Sequence, residues 1–104
     1  MKTYCGSRNA QGELSVTIDG TPLDPRLDLL NHSPTGFECG YGGSGPAQLA
    51  LAILASQLHD DDAAILLHHE FKWQVIAKLP RHQWTLTSEE VRLAVEQLQQ
   101  PERR

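Results

Sequence analysis

Cysteine is scarce in this chain. Cys5 and Cys39 are the only two in 104 residues, too few and too far apart to declare a disulfide framework. In a reducing compartment both are expected to be small buried side chains. Neither has a cation beside it in sequence that would mark a nucleophile. Basic clusters are missing as well: no run of five or more Lys or Arg occurs, and nine basic against thirteen acidic residues give a formal charge of −4. Nucleic-acid binding draws most of its affinity from phosphate neutralisation, so none is expected. The longest largely apolar run, Ala47 to Ala55, falls far short of a bilayer span, and no membrane partner is expected. The opening "MKTYCGSRNAQGEL" lacks the apolar core of a secretory signal, which makes cytoplasmic residence the expectation. Internal repeats, linkers and low-complexity segments are absent too, so residues 1–104 read as one domain.

With 39% hydrophobic and 21% charged residues, the composition is that of a soluble globular protein. At this length folding buries roughly 60 to 70% of the surface that the unfolded chain exposes. The first third has strand character. "LSVTI" (Leu14 to Ile18) alternates apolar and polar residues, "DG" follows at Asp19-Gly20, and "TYCGSR" precedes it across Asn9 to Glu13. A small antiparallel sheet is the reading. Three prolines punctuate "TPLDPRLDLLNHSP" and bias it to extended or turn structure.

Beyond the glycines the period changes. A buried helix is expected over about 46–58, with Ser44 or Gly45 as its N-cap, Pro46 in its first turn, and Gln48 as the only polar residue before Ser56. "HDDD" ends it, and Asp60 or Asp61 caps a second helix over about 62–79 that Pro80 stops. "HQWTL" is a short extended stretch. Thr87-Ser88-Glu89-Glu90 is a capping box for a last helix over about 88–99. The class is α+β: a small N-terminal antiparallel sheet packed on the buried helix, with a second and a C-terminal helix.

Four glycines stand between Gly40 and Gly45. Gly40-Tyr41-Gly42-Gly43-Ser44-Gly45 matches G-x-G-x-x-G in letters, with acids some twenty residues on at Asp60 to Asp62. A dinucleotide fold, however, needs a parallel strand after the helix where this chain places another helix. Walker A fails because Pro46-Ala47 follows Gly45. Two readings stay open. The amides of such a loop, with the positive end of a helix behind them, can hold an anion, Tyr41 adding a stacking face and Ser44 a hydroxyl. Equally, the glycines serve positive φ and close packing at a corner. Upstream, Asn31, His32 and Ser33 in "NHSPTGF" could line a pocket with this loop, or form ordinary turns.

His68-His69-Glu70 is not H-E-x-x-H, neighbouring helical residues point about 100° apart, and no i, i+4 histidine pair exists, so no metal set is read here. Helix capping accounts for the aspartates after His59. No catalytic set and no cofactor is implied. Phe71 and Trp73 cannot share one core face, and Trp73 is expected to pack on the sheet or on "HQWTL". Arg8, Arg26, Lys72 and Lys78 read as scattered, solvated cations.

"NHSPTGFECGYGGSGPAQLALAIL", with upstream "YCGSR" and downstream "FKWQVIAKLP" and "WTLT", resembles a family of short bacterial, plasmid and phage proteins known only as a domain of unknown function. The resemblance runs from Tyr4 to about Val91, and the family pattern has a tryptophan where this chain has Cys39. It implies a mobile-element association but no activity. The leading expectation is therefore a non-enzymatic binding module holding a small anionic or nucleotide-like ligand at Asn31, His32, Ser33 and Gly40 to Gly45, for signal sequestration or counter-defence. An inhibitor or adaptor that binds a host protein through its acidic surface is the alternative, and a small enzyme of unknown reaction comes third. An edge strand or the apolar helix hairpin could also make a homodimer.

Overall fold

A computed structural model describes residues 2–99. Strands β1 (Thr3–Arg8), β2 (Leu14–Ile18) and β3 (Thr21–Pro22) precede helices α1 (Ser44–Leu58) and α2 (Asp61–Gln74). After a 3₁₀ turn over Ile76–Lys78 come β4 (Gln83–Thr87) and α3 (Ser88–Gln99). The sheet order is β3-β2-β1-β4, antiparallel throughout. The α+β expectation holds, and the "HQWTL" stretch supplies the edge strand β4 on β1.

Local chemistry accounts for the turns. Asp19 and Gly20 both sit at positive φ (51° and 84°), as a two-residue hairpin turn with right-handed strand twist requires. Asn9 Oδ1 accepts from the amides of Gln11 and Glu13 and closes the first hairpin. Thr87 and Glu90 exchange the reciprocal bonds of a capping box, and Asp60 Oδ1 accepts from Ala63 N at 3.1 Å to start α2.

Helix α1 is the centre of the molecule: every side chain from Ala47 to Ala55 is buried. The inner sheet face, with Tyr4, Val16, Trp84 and Leu86, closes over it in one core cluster with Phe71, Ile76, Val91 and Val95. The Tyr4 hydroxyl reaches the far half of α1 at Ser56 Oγ (3.4 Å) and Gln57 Oε1 (3.3 Å). Among the described residues no helix is long and apolar enough to cross a membrane.

Four expectations are corrected. The N-cap of α1 is Gly43, without a side-chain cap bond, so Pro46 is the third helical residue. α2 ends at Gln74, not near Leu79. In a continued α-helix the Ile76 carbonyl would face residue 80, a proline with no N–H; instead it accepts from Gly40 N (3.1 Å) and Leu79 N (3.2 Å), and the tighter turn buries Ile76 completely. Trp73 is 56% exposed and lies against the backbone of Gly42, whereas Phe71 takes the core. Cys39 is buried as expected, but Cys5 is exposed, because β1 alternates and Cys5 falls on the outer face.

Candidate functional site

The glycine loop is built by close approach. A Cβ on Gly42 would lie 2.1 Å from the Trp73 ring, one on Gly43 2.6 Å from the Tyr41 ring, and one on Gly45 2.7 Å from Glu38 Cβ; Gly40 has φ +86°. Packing and backbone conformation therefore account for all four. The same corner leaves a second consequence. Ala47 N is the first amide to bond back along α1, to Gly43 O, and Pro46 has no N–H, so the amides of Gly43, Ser44 and Gly45 have no intrahelical acceptor. No acid stands in the first turn of α1.

An open groove of about 510 Å³ lies in front of this helix end. The first hairpin (Glu13, Leu14, Ser15), the segment from Ser33 to Glu38, and Tyr41, Ser44 and Gly45 form its walls. Of the nine residues singled out in sequence, Ser33, Tyr41, Ser44 and Gly45 line the groove, and Tyr41 is 49% exposed. Gly40, Gly42 and Gly43 support the loop from outside that lining. Asn31 is exposed elsewhere, and His32 turns to a different cluster.

One wall is fixed by a partly buried ion pair. Arg8 Nη2 and Nη1 donate to Glu38 Oε1 (2.7 Å) and Oε2 (3.1 Å), and the same guanidinium donates to the carbonyls of Arg81 and Gly12. Its side chain is 6% exposed, so Arg8 is a structural clamp and not a solvated cation. It also lies 3.9 Å from Cys39 Sγ, a cation neighbour that the sequence did not reveal. Arg26, likewise, is engaged by Asp28 and Asp61. The Arg8 bond holds the Glu38 carboxyl below the ordinary carboxylate value. The folded protein then binds fewer protons there than the unfolded chain, so this stabilisation is complete above about pH 4.5 and is lost as pH falls through the lower folded value. Arg8→Ala is expected to destabilise by about 2–3 kcal/mol, since it strands a partly buried carboxylate. Glu38→Gln is expected to flatten the acid limb of a thermal-unfolding pH series; an unchanged limb would contradict the assignment.

The second cluster was not legible in sequence. Gln48, fully buried on α1, accepts from His32 N (2.7 Å) and Ser33 N (3.1 Å) and donates to Pro25 O (2.6 Å) and Leu30 O (3.0 Å). This draws His32 onto α2, where its Nε2 lies 3.0 Å from His68 Nε2. His68 Nδ1 is 2.6 Å from Ile65 O; a carbonyl only accepts, so Nδ1 carries the proton and Nε2 presents its lone pair. The His69 ring completes the group, 4.2 Å from that of His68 and 5.5 Å from that of His32. Burial holds His32 and His68 below the ordinary imidazole value, and the nearby His69 and Lys72 act in the same direction. The signal missed in sequence was a lone polar residue, Gln48, in an otherwise apolar helix.

The acidic run is largely engaged within the molecule. Asp60 caps α2, Asp61 pairs with Arg26, and Asp62 stands in the first turn of α2. Comparison with known proteins matches residues 4–97 to a family model described as a family of unknown function, DUF6166. The chain belongs to that family. No curated protein and no solved structure matches it.

Proposed function

We propose that this member of the DUF6166 family is a non-enzymatic binding module whose groove holds a small nucleotide-like ligand. The observation that carries the reading is that one groove is lined by Ser44 and Gly45, whose amides have no intrahelical acceptor, by the Ser33 and Ser44 hydroxyls and by the half-exposed Tyr41 ring. An anionic group would sit against the amides, where the helix end offers partial positive charge. A flat ring would stack on Tyr41. Glu13 lines the same groove and favours a ligand that also carries hydroxyl or amine donors over a bare inorganic anion. A cytoplasmic role in signal sequestration or counter-defence belongs to the same proposal and rests on the mobile-element resemblance.

An adaptor that binds a host protein through its acidic surface ranks second. Leu66, 80% exposed on α2, favours a contact there, but Asp60 and Asp61 already have intramolecular partners. Titration calorimetry with nucleotides and cyclic nucleotides tests the first reading. Tyr41→Ala is expected to weaken binding about tenfold, the usual loss of one ring stack. Gly43→Val, whose side chain collides with the Tyr41 ring, is expected to abolish it. Absence of binding by the unmodified protein would overturn the reading for those ligands.

A further inference from the structure

We infer that His32, His68 and His69 form a binding site for a zinc-like divalent ion, with three imidazole donors and a fourth position open on the His69 side. Their ligand nitrogens lie within 4.8 Å of one another. Zinc–nitrogen bonds of about 2.0–2.1 Å in tetrahedral geometry put ligand nitrogens about 3.3–3.4 Å apart. The His32 and His68 Nε2 atoms, at 3.0 Å, need to separate by only a few tenths of an ångström. His69 is exposed, and its ring already lies against those of His68 and His32.

The surroundings are those of a positioned ligand set. His68 donates its other ring N–H to a backbone carbonyl, Ile65 O, the outer-shell contact that fixes tautomer and aim in metal-ligating histidines. His32 is anchored through its backbone to the buried Gln48 amide, so two of the three donors come from fixed elements 36 residues apart in sequence. The group contains no carboxylate, which selects an imidazole-preferring transition ion over Mg²⁺ or Ca²⁺. Lys72, buried beside the cluster with its Nζ 4.6 Å from the centre of the Trp73 ring, opposes a cation and limits the affinity. The site is separate from the groove, whose lining includes none of the three histidines.

The test is calorimetric titration of Zn²⁺ into the untagged, chelator-treated protein, with Co²⁺ as a spectroscopic substitute. One equivalent is expected to bind, and Co²⁺ is expected to give the intense visible bands of a low-coordinate site. His32→Gln and His69→Gln should each weaken binding at least tenfold while circular dichroism stays native. His69 is exposed, so that variant keeps the test valid even where His68→Gln fails to fold. A His59→Gln/His82→Gln double variant, which alters two exposed histidines outside the cluster, should bind as the parent does. No zinc binding by the folded parent, full affinity in His32→Gln or His69→Gln, or equal loss in the His59/His82 variant would overturn the assignment. In that case the close His32–His68 pair is only an imidazole hydrogen bond.

Discussion

Gln48→Leu is expected to destabilise the protein by about 3–5 kcal/mol, a large part of the stability of a domain this size. Leucine fits the volume and suits the helix, so the loss does not come from α1 itself. It comes from four backbone groups: the amides of His32 and Ser33 lose their acceptor, and the carbonyls of Pro25 and Leu30 lose their donor. Each buried group left unpaired costs about 1–3 kcal/mol, and partial access of water to this segment keeps the sum below the maximum. Urea unfolding measures the loss. Amide exchange locates it, since protection at His32 and Ser33 should collapse while that of β1 persists. A change under about 1 kcal/mol with those amides still protected would show that the segment is held by other contacts.

Gly6→Val is expected to cost about 3 kcal/mol or more, on the scale of overpacking a core with the displacement of a large side chain. Gly6 stands opposite Trp84 across the β1–β4 ladder, and a Cβ there would lie 2.3–2.6 Å from atoms of the indole ring. The ring is 5% exposed, and its Nε1 has no hydrogen-bond partner among the described residues, so packing alone holds it. Valine would drive it out and loosen the edge strand. Chemical denaturation gives the magnitude, and a red shift of tryptophan emission beyond that of the already exposed Trp73 reports the displaced ring. Cys5→Val, next along the same strand but on its exposed face, is the control and should stay within about 0.5 kcal/mol.

These two sites divide what could be read along the chain from what could not. Leu14 to Ile18 and the Asp19-Gly20 turn announce a hairpin because alternation and positive φ act over a few residues. Thr87 to Glu90 announces a helix start because the capping bonds span three. Even the end of α2 follows a local rule, the missing N–H of Pro80, although its outcome needed Gly40 as a second donor. In the same way the candidate ligand region around Ser33, Tyr41, Ser44 and Gly45 was legible because glycine and hydroxyl residues crowd one stretch.

Tertiary structure decided the rest. The spacing of His68 and His69 does not by itself announce a cluster; their rings meet at 4.2 Å, and the third imidazole arrives from 36 residues away, carried by Gln48. Nor does sequence tell that Arg8 clamps Glu38 across the fold, or that Trp73 lies over Gly42 while Phe71 takes the core. The reason is physical. Backbone hydrogen bonding, capping and hydrophobic period are short-range and written in consecutive residues, so the sequence by itself determined the elements and their order. Which side chains meet depends on how those elements pack, and that is set by the shape of one core shared by residues from Tyr4 to Val95.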